Sequence, residues 1–341
     1  MHELTPLATS AFSQLSNKHL IRQFGYVDGR WIAGERQDDF AVTDPSDGSW
    51  LGDVAAMTAA QSMEAVTVAD RAFGAWSALL PQARADYLEK WHALILQNNE
   101  DLAILMCREQ GKPLSEARGE IDYAASFVKY YAEEAIRPNI EGITSHLADA
   151  EMEVWREPVG VAALITPWNF PSAMITRKAA AALAAGCTVI VHPSAETPYS
   201  ALALAELADQ AGFPAGVFNV LPGHAPEIVT PWTEDARVRA LSFTGSTEIG
   251  RLLYRQSAST IKRLVLELGG HAPLLVFDDA DIDRAAGLAV SAKFATSGQD
   301  CLAANRIYVQ EGVYDAFCEA FAEKVSKLTL GRGMKTRILA H

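Results

Sequence analysis

Val161-Ala162-Ala163-Leu164-Ile165, followed at once by Thr166-Pro167-Trp168-Asn169-Phe170-Pro171, decides how the rest of the chain is read. Five apolar residues without alternation mark a strand covered on both faces, as in a parallel sheet. Two prolines then end the strand and hold Asn169 in a restricted loop. A helix follows from about Ser172 to Ala185, with Gly186 placed as its C-cap. Downstream the pattern repeats. Cys187–Val191 is a second strand, Thr197-Pro198 caps and opens a helix that ends near Gly212, and Val217–Leu221 is a third strand. Ala240–Phe243 and Arg263–Leu266 supply a fourth and a fifth. Apolar strands alternating with helices predict an α/β fold, a Rossmann-like parallel sheet covered by helices. Such sheets bind ligands outside the carboxyl ends of their strands, so the chemistry belongs in the loops that follow them.

Upstream the signals are plainer. Residues 1 to about 20 read as a polar leading helix or arm, Gly25–Ile32 as a short strand with a turn at Asp28-Gly29, and Asp44–Gly48 as a turn. Thr58–Ala135 reads as mostly helical, with Leu88, Trp91, His92, Ile95 and Leu96 at helical spacing and breaks at Pro81 and Gly111-Lys112-Pro113. Residues 138–160, short and mixed in polarity, read as a projecting hairpin. The expected division is 1–137 as a helical layer packed on the sheet, 138–160 as the hairpin and 161–266 as the Rossmann-like domain. Residues 267–330 then read as a further α/β stretch, and 331–341 as a basic ending.

Composition narrows the function. The chain has 341 residues, of which 49% are hydrophobic and 21% charged, as in an ordinary globular protein with room for two domains. A net charge of −13 leaves no basic surface to neutralise phosphates, which argues against nucleic acid. No apolar run is long enough to span a bilayer, and Met1–Arg22 lacks the apolar stretch of a secretory signal. Four well-separated cysteines (Cys107, Cys187, Cys301, Cys318) without a C-x-x-C pair point to a reducing cytoplasm and away from disulfides or a metal site.

The candidate site residues follow strands. Ser297-Gly298-Gln299-Asp300-Cys301 places one thiol on a loop before the apolar run Ile307-Tyr308-Val309. Backbone N–H groups beside such a thiol can hold a negative oxygen, as acyl chemistry at sulfur requires. A lone cysteine is more often a small buried hydrophobe, so the loop gains weight only from its companions. Asn169 offers amide donors, or else caps its own turn. His192-Pro193-Ser194-Ala195-Glu196 follows the second strand. Gly245-Ser246 opens a helix whose N-terminus suits a pyrophosphate, or is a plain N-cap. Glu267, before Leu268-Gly269-Gly270, is a base or a solvated strand-end charge, and the glycines would let a ligand approach closely.

Taken together, Ile165–Pro171, Phe243–Gly250, Leu266–Gly270 and Gly298–Arg306 resemble the aldehyde dehydrogenase superfamily, in the same order, over about Tyr26 to Leu330. Phe170–Lys178 is most similar to its succinate-semialdehyde branch. The resemblance implies oxidation of a small carboxylated aldehyde with NAD or NADP. It makes 1–137 a helical layer of the cofactor domain, 161–266 the Rossmann-like NAD(P)-binding domain, 267–330 an incomplete second α/β catalytic domain and 331–341 an atypical ending. Cys301 would be the nucleophile, Asn169 with the Cys301 N–H the oxyanion donors, and Glu267 the base that hydrolyses the thioester. It implies cofactor contacts from Thr166, Pro167, Trp168, His192, Ser194, Ala195, Gly245, Ser246, Leu268 and Gly269. Arg177 would hold the substrate carboxylate, and copies of the chain would associate through the hairpin. His192 stands where the family has a ribose-binding Lys. Ala195 stands where a Glu often repels a 2′-phosphate, which tilts the expectation to NADP. Ala295 stands where the branch has a second Arg, and Ala303 where it sometimes has a second Cys. The resemblance stops after Leu330, which keeps two other readings open: an inactive cofactor-binding or interaction module, and a cofactor-independent cysteine esterase.

Overall fold

The computed structural model describes residues 12–36, 38–137, 140–334 and 339–340. The chain opens with β1 (Gly25–Val27) and β2 (Arg30–Ile32), a hairpin turned by Asp28 and Gly29, both with left-handed φ (54° and 72°). β3 (Phe40–Thr43) and β4 (Trp50–Val54) pair around the Asp44–Gly48 turn. A helical layer follows: α1 (Ala59–Ser77), α2 (Pro81–Gln97), α3 (Asn99–Gln110) and α4 (Leu114–Ala135). β5 (Ile140–Ile143) and β6 (Met152–Trp155) then form an antiparallel ribbon in which every strand residue is exposed.

The central run is β7 (Val161–Ile165), α5 (Ala173–Ala185), β8 (Thr188–His192), α6 (Pro198–Ala211), β9 (Phe218–Val220), α7 (Ala225–Glu234), β10 (Val238–Gly245), α8 (Thr247–Ser257) and β11 (Arg263–Leu268). The main sheet runs β11-β10-β7-β8-β9-β1-β2. From β11 to β9 the strands are parallel, and β1 joins antiparallel through Tyr26 opposite Val220. The chain starts in the middle at β7, moves out through β8 and β9, then returns across to β10 and β11. The order reverses between β7 and β10, which opens a crevice at the carboxyl ends of these strands.

Side chains alternate across this sheet and meet two cores. Leu164, Val189 and Val191 pack with Leu88, Trp91, Leu105, Val128, Leu183 and Leu204 from α2 to α6. Ala163, Ile190, Leu241 and Phe243 pack with Val66, Trp232 and Leu253 from α1, α7 and α8. A second unit follows: β12 (Ala272–Val276), α9 (Ile282–Phe294), β13 (Ala304–Val309) and α10 (Tyr314–Ser326), with β12 and β13 parallel. Its buried core consists of Val276, Ala286, Ala289 and Phe317. β14 (Leu330–Gly331) pairs with β15 (Leu339–Ala340). Between them the Gly333 carbonyl accepts from the Leu114 N–H at 2.8 Å, and Arg332 pairs with Asp47 at 3.0 Å. Among the described residues no helix is long and apolar enough to cross a membrane.

The structure corrects the reading at several points. The expected polar arm, where described, is a single 3-10 turn at Lys18–Leu20, with Phe12, Leu15 and Leu20 buried. Residues 1–11 of it lie outside the described residues. The first 137 residues also contribute β1 and β2 to the main sheet as well as a helical layer. Helix α7 falls in a stretch to which the sequence reading assigned no element; Pro226 sits in the first turn, where a missing N–H costs little. The N-terminus of α6 is not capped by Thr197, whose hydroxyl has no partner. The buried Glu109 carboxylate of α3 caps it instead, accepting from the Tyr199 and Ser200 N–H groups at 2.7 Å each. Burial pushes Glu109 up to about 8.

Candidate active site

Asn169 lies on the loop after β7. Its Nδ2 donates to the Gln299 carbonyl at 2.8 Å, across 130 positions of sequence. That bond joins the loop after β7 to the turn before Cys301, so Asn169 is not capping its own turn. An amide nitrogen carries two hydrogens, and one remains for a ligand. Cys301 is exposed, as is Cys318, whereas Cys107 and Cys187 are buried. The Gly270 backbone closes in behind the thiol loop: a Cβ there would sit 3.3 Å from the Cys301 carbonyl.

Glu267 is exposed near the end of β11, directly opposite Thr244 of β10. It lies close enough to Cys301 to oppose ionisation of the thiol. Partial burial is the larger cause of the upward shift at Cys301, and the Asp300 carboxylate next in sequence adds to it. The thiol is therefore not activated by its own neighbours, contrary to what a nucleophile on an electropositive loop would show.

Sequence reasoning passed over Lys178. It is buried on α5, donates to the Ser242 hydroxyl at 2.8 Å, and is pulled down to about 8 by burial and by Arg177, against an opposing pull from Glu267. A lysine inside an apolar helix face was the available signal. Arg177 is half-buried over the Phe127 ring, 5.4 Å from its centroid, with Met174 beside it. Phe127 and Phe170 pack on Ala124, Ala173 and Met174, so Arg177 stands at the margin of an apolar wall. Ala295, where a second cation was expected by resemblance, is exposed at the end of α9.

The candidate cofactor residues gather at the carboxyl ends of β7, β8, β10 and β11. Gly245 is in register with Leu268, and the Thr166 N–H donates to the His192 carbonyl at 3.1 Å. Pro167 and Trp168 continue that loop, Trp168 being 36% exposed. Ser246 acts as the N-cap of α8, accepting from the Ile249 N–H at 3.3 Å, which leaves an exposed helix start beside Gly269. Thr166 Oγ1 and Thr244 Oγ1, on either side of the crevice, are buried and without a partner.

His192 turns inward. It is 4% exposed, its Nδ1 lies 3.0 Å from the Leu221 carbonyl, and its ring meets the edge of Trp232. Burial lowers it to about 4. Ser194 and Ala195 lie on the loop beyond, and the Glu196 carboxylate folds back to accept from the Ser194 hydroxyl. The loop therefore keeps a carboxylate despite Ala195.

Residues 31–339 match the model of the aldehyde dehydrogenase family. The chain belongs to the aldehyde dehydrogenase family. The match runs past Leu330, where the resemblance was expected to end. Among curated relatives, the non-phosphorylating aspartate-semialdehyde dehydrogenase of Halomonas elongata is 54% identical over 96% of this chain and 66% of its own length. The glutarate-semialdehyde dehydrogenase of Pseudomonas putida is 51% identical over 94% and 67%. The NADP(+) succinate-semialdehyde dehydrogenase of Escherichia coli is 51% identical over 94% and 67%. The chain thus spans about two thirds of the length of these family members. Among solved structures, an Escherichia coli NADP-dependent enzyme superposes with a TM-score of 0.94 at 50% identity, covering 96% of this chain and 68% of that one. Betaine aldehyde dehydrogenase of Staphylococcus aureus, in complex with NAD+, superposes at 0.93 with 31% identity, covering 97% and 65%.

Proposed function

We infer that this chain carries out NAD(P)-dependent oxidation of a small carboxylated aldehyde to its acid. The observation that carries the reading is the Asn169–Gln299 bond, which sets an amide donor beside the Cys301 loop with Glu267 and Gly270 on the same side. The Cys301 thiolate adds to the aldehyde carbon, and the carbonyl oxygen becomes an alkoxide held by the Asn169 amide and the Cys301 N–H. One such donor is worth about 3 kcal/mol of barrier. A dinucleotide held at the crevice would supply the hydride acceptor, and loss of hydride from this carbon would leave the acyl group as a thioester on Cys301. Glu267 takes a proton from water as it attacks the thioester; the acid departs and the thiolate returns. Because Asp300 and burial hold the thiol up, Glu267 is also the group placed to accept the thiol proton, with Lys178 beside it to share the charge.

The unpartnered hydroxyls of Thr166 and Thr244 and the exposed start of α8 fit a dinucleotide at the crevice. The Glu196 carboxylate on Ser194 opposes a 2′-phosphate, so the cofactor is NAD or NADP rather than NADP alone. The relatives named above act on aspartate, glutarate and succinate semialdehydes, each an aldehyde with a carboxylate; Arg177 supplies the matching cation at an apolar wall. The β5–β6 ribbon, with Ile140, Ile143, Val154 and Trp155 exposed, is the surface we assign to contact between copies.

The test is an aldehyde panel run with each cofactor, on the parent and on Cys301→Ala. Cofactor-dependent growth of reduced nicotinamide is expected with the semialdehydes and at least a hundredfold loss in Cys301→Ala. Ester hydrolysis without cofactor and no nicotinamide reduction would instead favour an esterase. Tight cofactor binding with no turnover would favour a binding module.

A further inference from the structure

Three charged residues outside the site stand four apart around the start of α4: Lys112 on the loop before it, and Glu116 and Glu120 on the helix itself. Glu116 and Glu120, at this spacing, share one helix face. Each reaches a different part of the site. Lys112 Nζ donates to the Asn169 carbonyl at 2.8 Å and lies over the Phe170 ring, 4.2 Å from its centroid. Glu120 pairs with Lys112, both side chains being 1% exposed. Its other oxygen accepts from the Ser172 and Ala173 N–H groups at 3.0 and 3.2 Å, the first turn of α5. Glu116 accepts from the Thr296 N–H at 2.8 Å. Thr296 and Ser297 both take left-handed φ (51° and 54°), a conformation that costs a β-branched residue dearly. They open the turn that ends at Cys301, so Glu116 holds that turn at its strained point.

We propose that Lys112, Glu116 and Glu120 form a positioning rack that fixes the gap between the Asn169 amide and the Cys301 thiol. Lys112 and Glu120 set the Asn169 loop, and Glu116 sets the cysteine turn. The first turns of α4 and the loop that leads into it therefore span both halves of the site. The two halves come from different packing units, and the Asn169–Gln299 bond joins them at a second point. The rack touches no substrate, and its residues act through the loops they hold. The proposal rests on the reading of Asn169 and Cys301 given above.

The experiment compares the full chain with Glu116→Ala and Glu116→Gln. Gln keeps an acceptor for the Thr296 N–H, whereas Ala does not. The first readout needs no dehydrogenase activity: the pH profile of Cys301 alkylation by iodoacetamide, with the labelled site located by mass spectrometry. Releasing the turn should free the thiol from burial and from the Asp300 and Glu267 carboxylates. The midpoint in Glu116→Ala should then fall by at least half a pH unit, and Glu116→Gln should restore it. The second readout is a cycle with Asn169→Ala. Glu116→Ala should lower kcat at least tenfold in the parent and less than threefold in the Asn169→Ala background, with cofactor affinity unchanged. Lys112→Met combined with Glu120→Gln removes both buried charges at once and should behave as Glu116→Ala does in the cycle. An unchanged alkylation midpoint in Glu116→Ala, or equal kcat losses in both backgrounds, would overturn the rack. If the parent oxidises no aldehyde, the functional reading fails while the alkylation profile still decides the positioning.

Discussion

The two halves of the candidate site sit on unlike foundations. β7 and β8 are buried at every residue, and α5 and α6 cover them with a continuous core. β12 alternates between half-buried and exposed, and its unit buries Val276, Ala286, Ala289 and Phe317 while Leu275, Phe277, Leu288 and Tyr308 remain exposed. Asn169 is thus carried by rigid scaffold and Cys301 by a thinly packed one. Precision at the thiol has to be supplied from the first half, through Glu116 at Thr296 and Asn169 at Gln299.

Hydrogen exchange gives the largest contrast. Amides of Ile190 and Leu164 should be protected at least about a hundredfold more than those of Leu275 and Tyr308, since opening energies follow buried contacts. Equal protection would erase the difference between the halves. Stability should follow the same division. Leu202→Ala, at a fully buried position on α6, should cost about 3 kcal/mol, while Leu275→Ala, 60% exposed, should cost about 0.5 kcal/mol or less. Denaturant melts of both variants check this.

His192 sharpens the first half further. Burial lowers its folded pKa from 6.5 to about 4, so the fold favours the neutral ring. Its contribution is present above pH 6.5 and is lost as pH falls toward 4, on the order of 3 kcal/mol in all. The stability gap between parent and His192→Gln should therefore shrink over that range, and a constant gap would mean that the ring is not the titrating group. A smaller effect belongs to the second half. Asp300 holds the Cys301 thiol up, so Asp300→Asn should lower it and raise alkylation at pH 7 by about threefold. An unchanged rate would leave burial as the whole cause.

Much of the first half was legible in sequence because its strands are unbroken apolar runs set between capped helices. Val161–Ile165 and the Gly186 and Gly212 C-caps fall where local chemistry put them. What could not be read was chosen by distant contacts. The β1–β2 hairpin gives no hint that Tyr26 pairs with Val220, and Phe12 and Leu15 look like part of a polar arm until tertiary packing buries them. Within the site, Asn169 and Cys301 were legible as loop residues beyond strands. The inward turn of His192 and the reach of Glu196 back to Ser194 depend on side-chain packing that no spacing encodes. Lys112, Glu116 and Glu120 carried no signal in sequence, because their partners lie on two other segments.

The most direct test of the account is a rapid-mixing trace of Glu267→Gln with succinate semialdehyde and cofactor. A burst of reduced nicotinamide, close to one per Cys301, followed by slow turnover, is the expected result, because thioester formation survives and its hydrolysis does not. Steady turnover at the parent rate would contradict the assignment of Glu267 as the hydrolytic base.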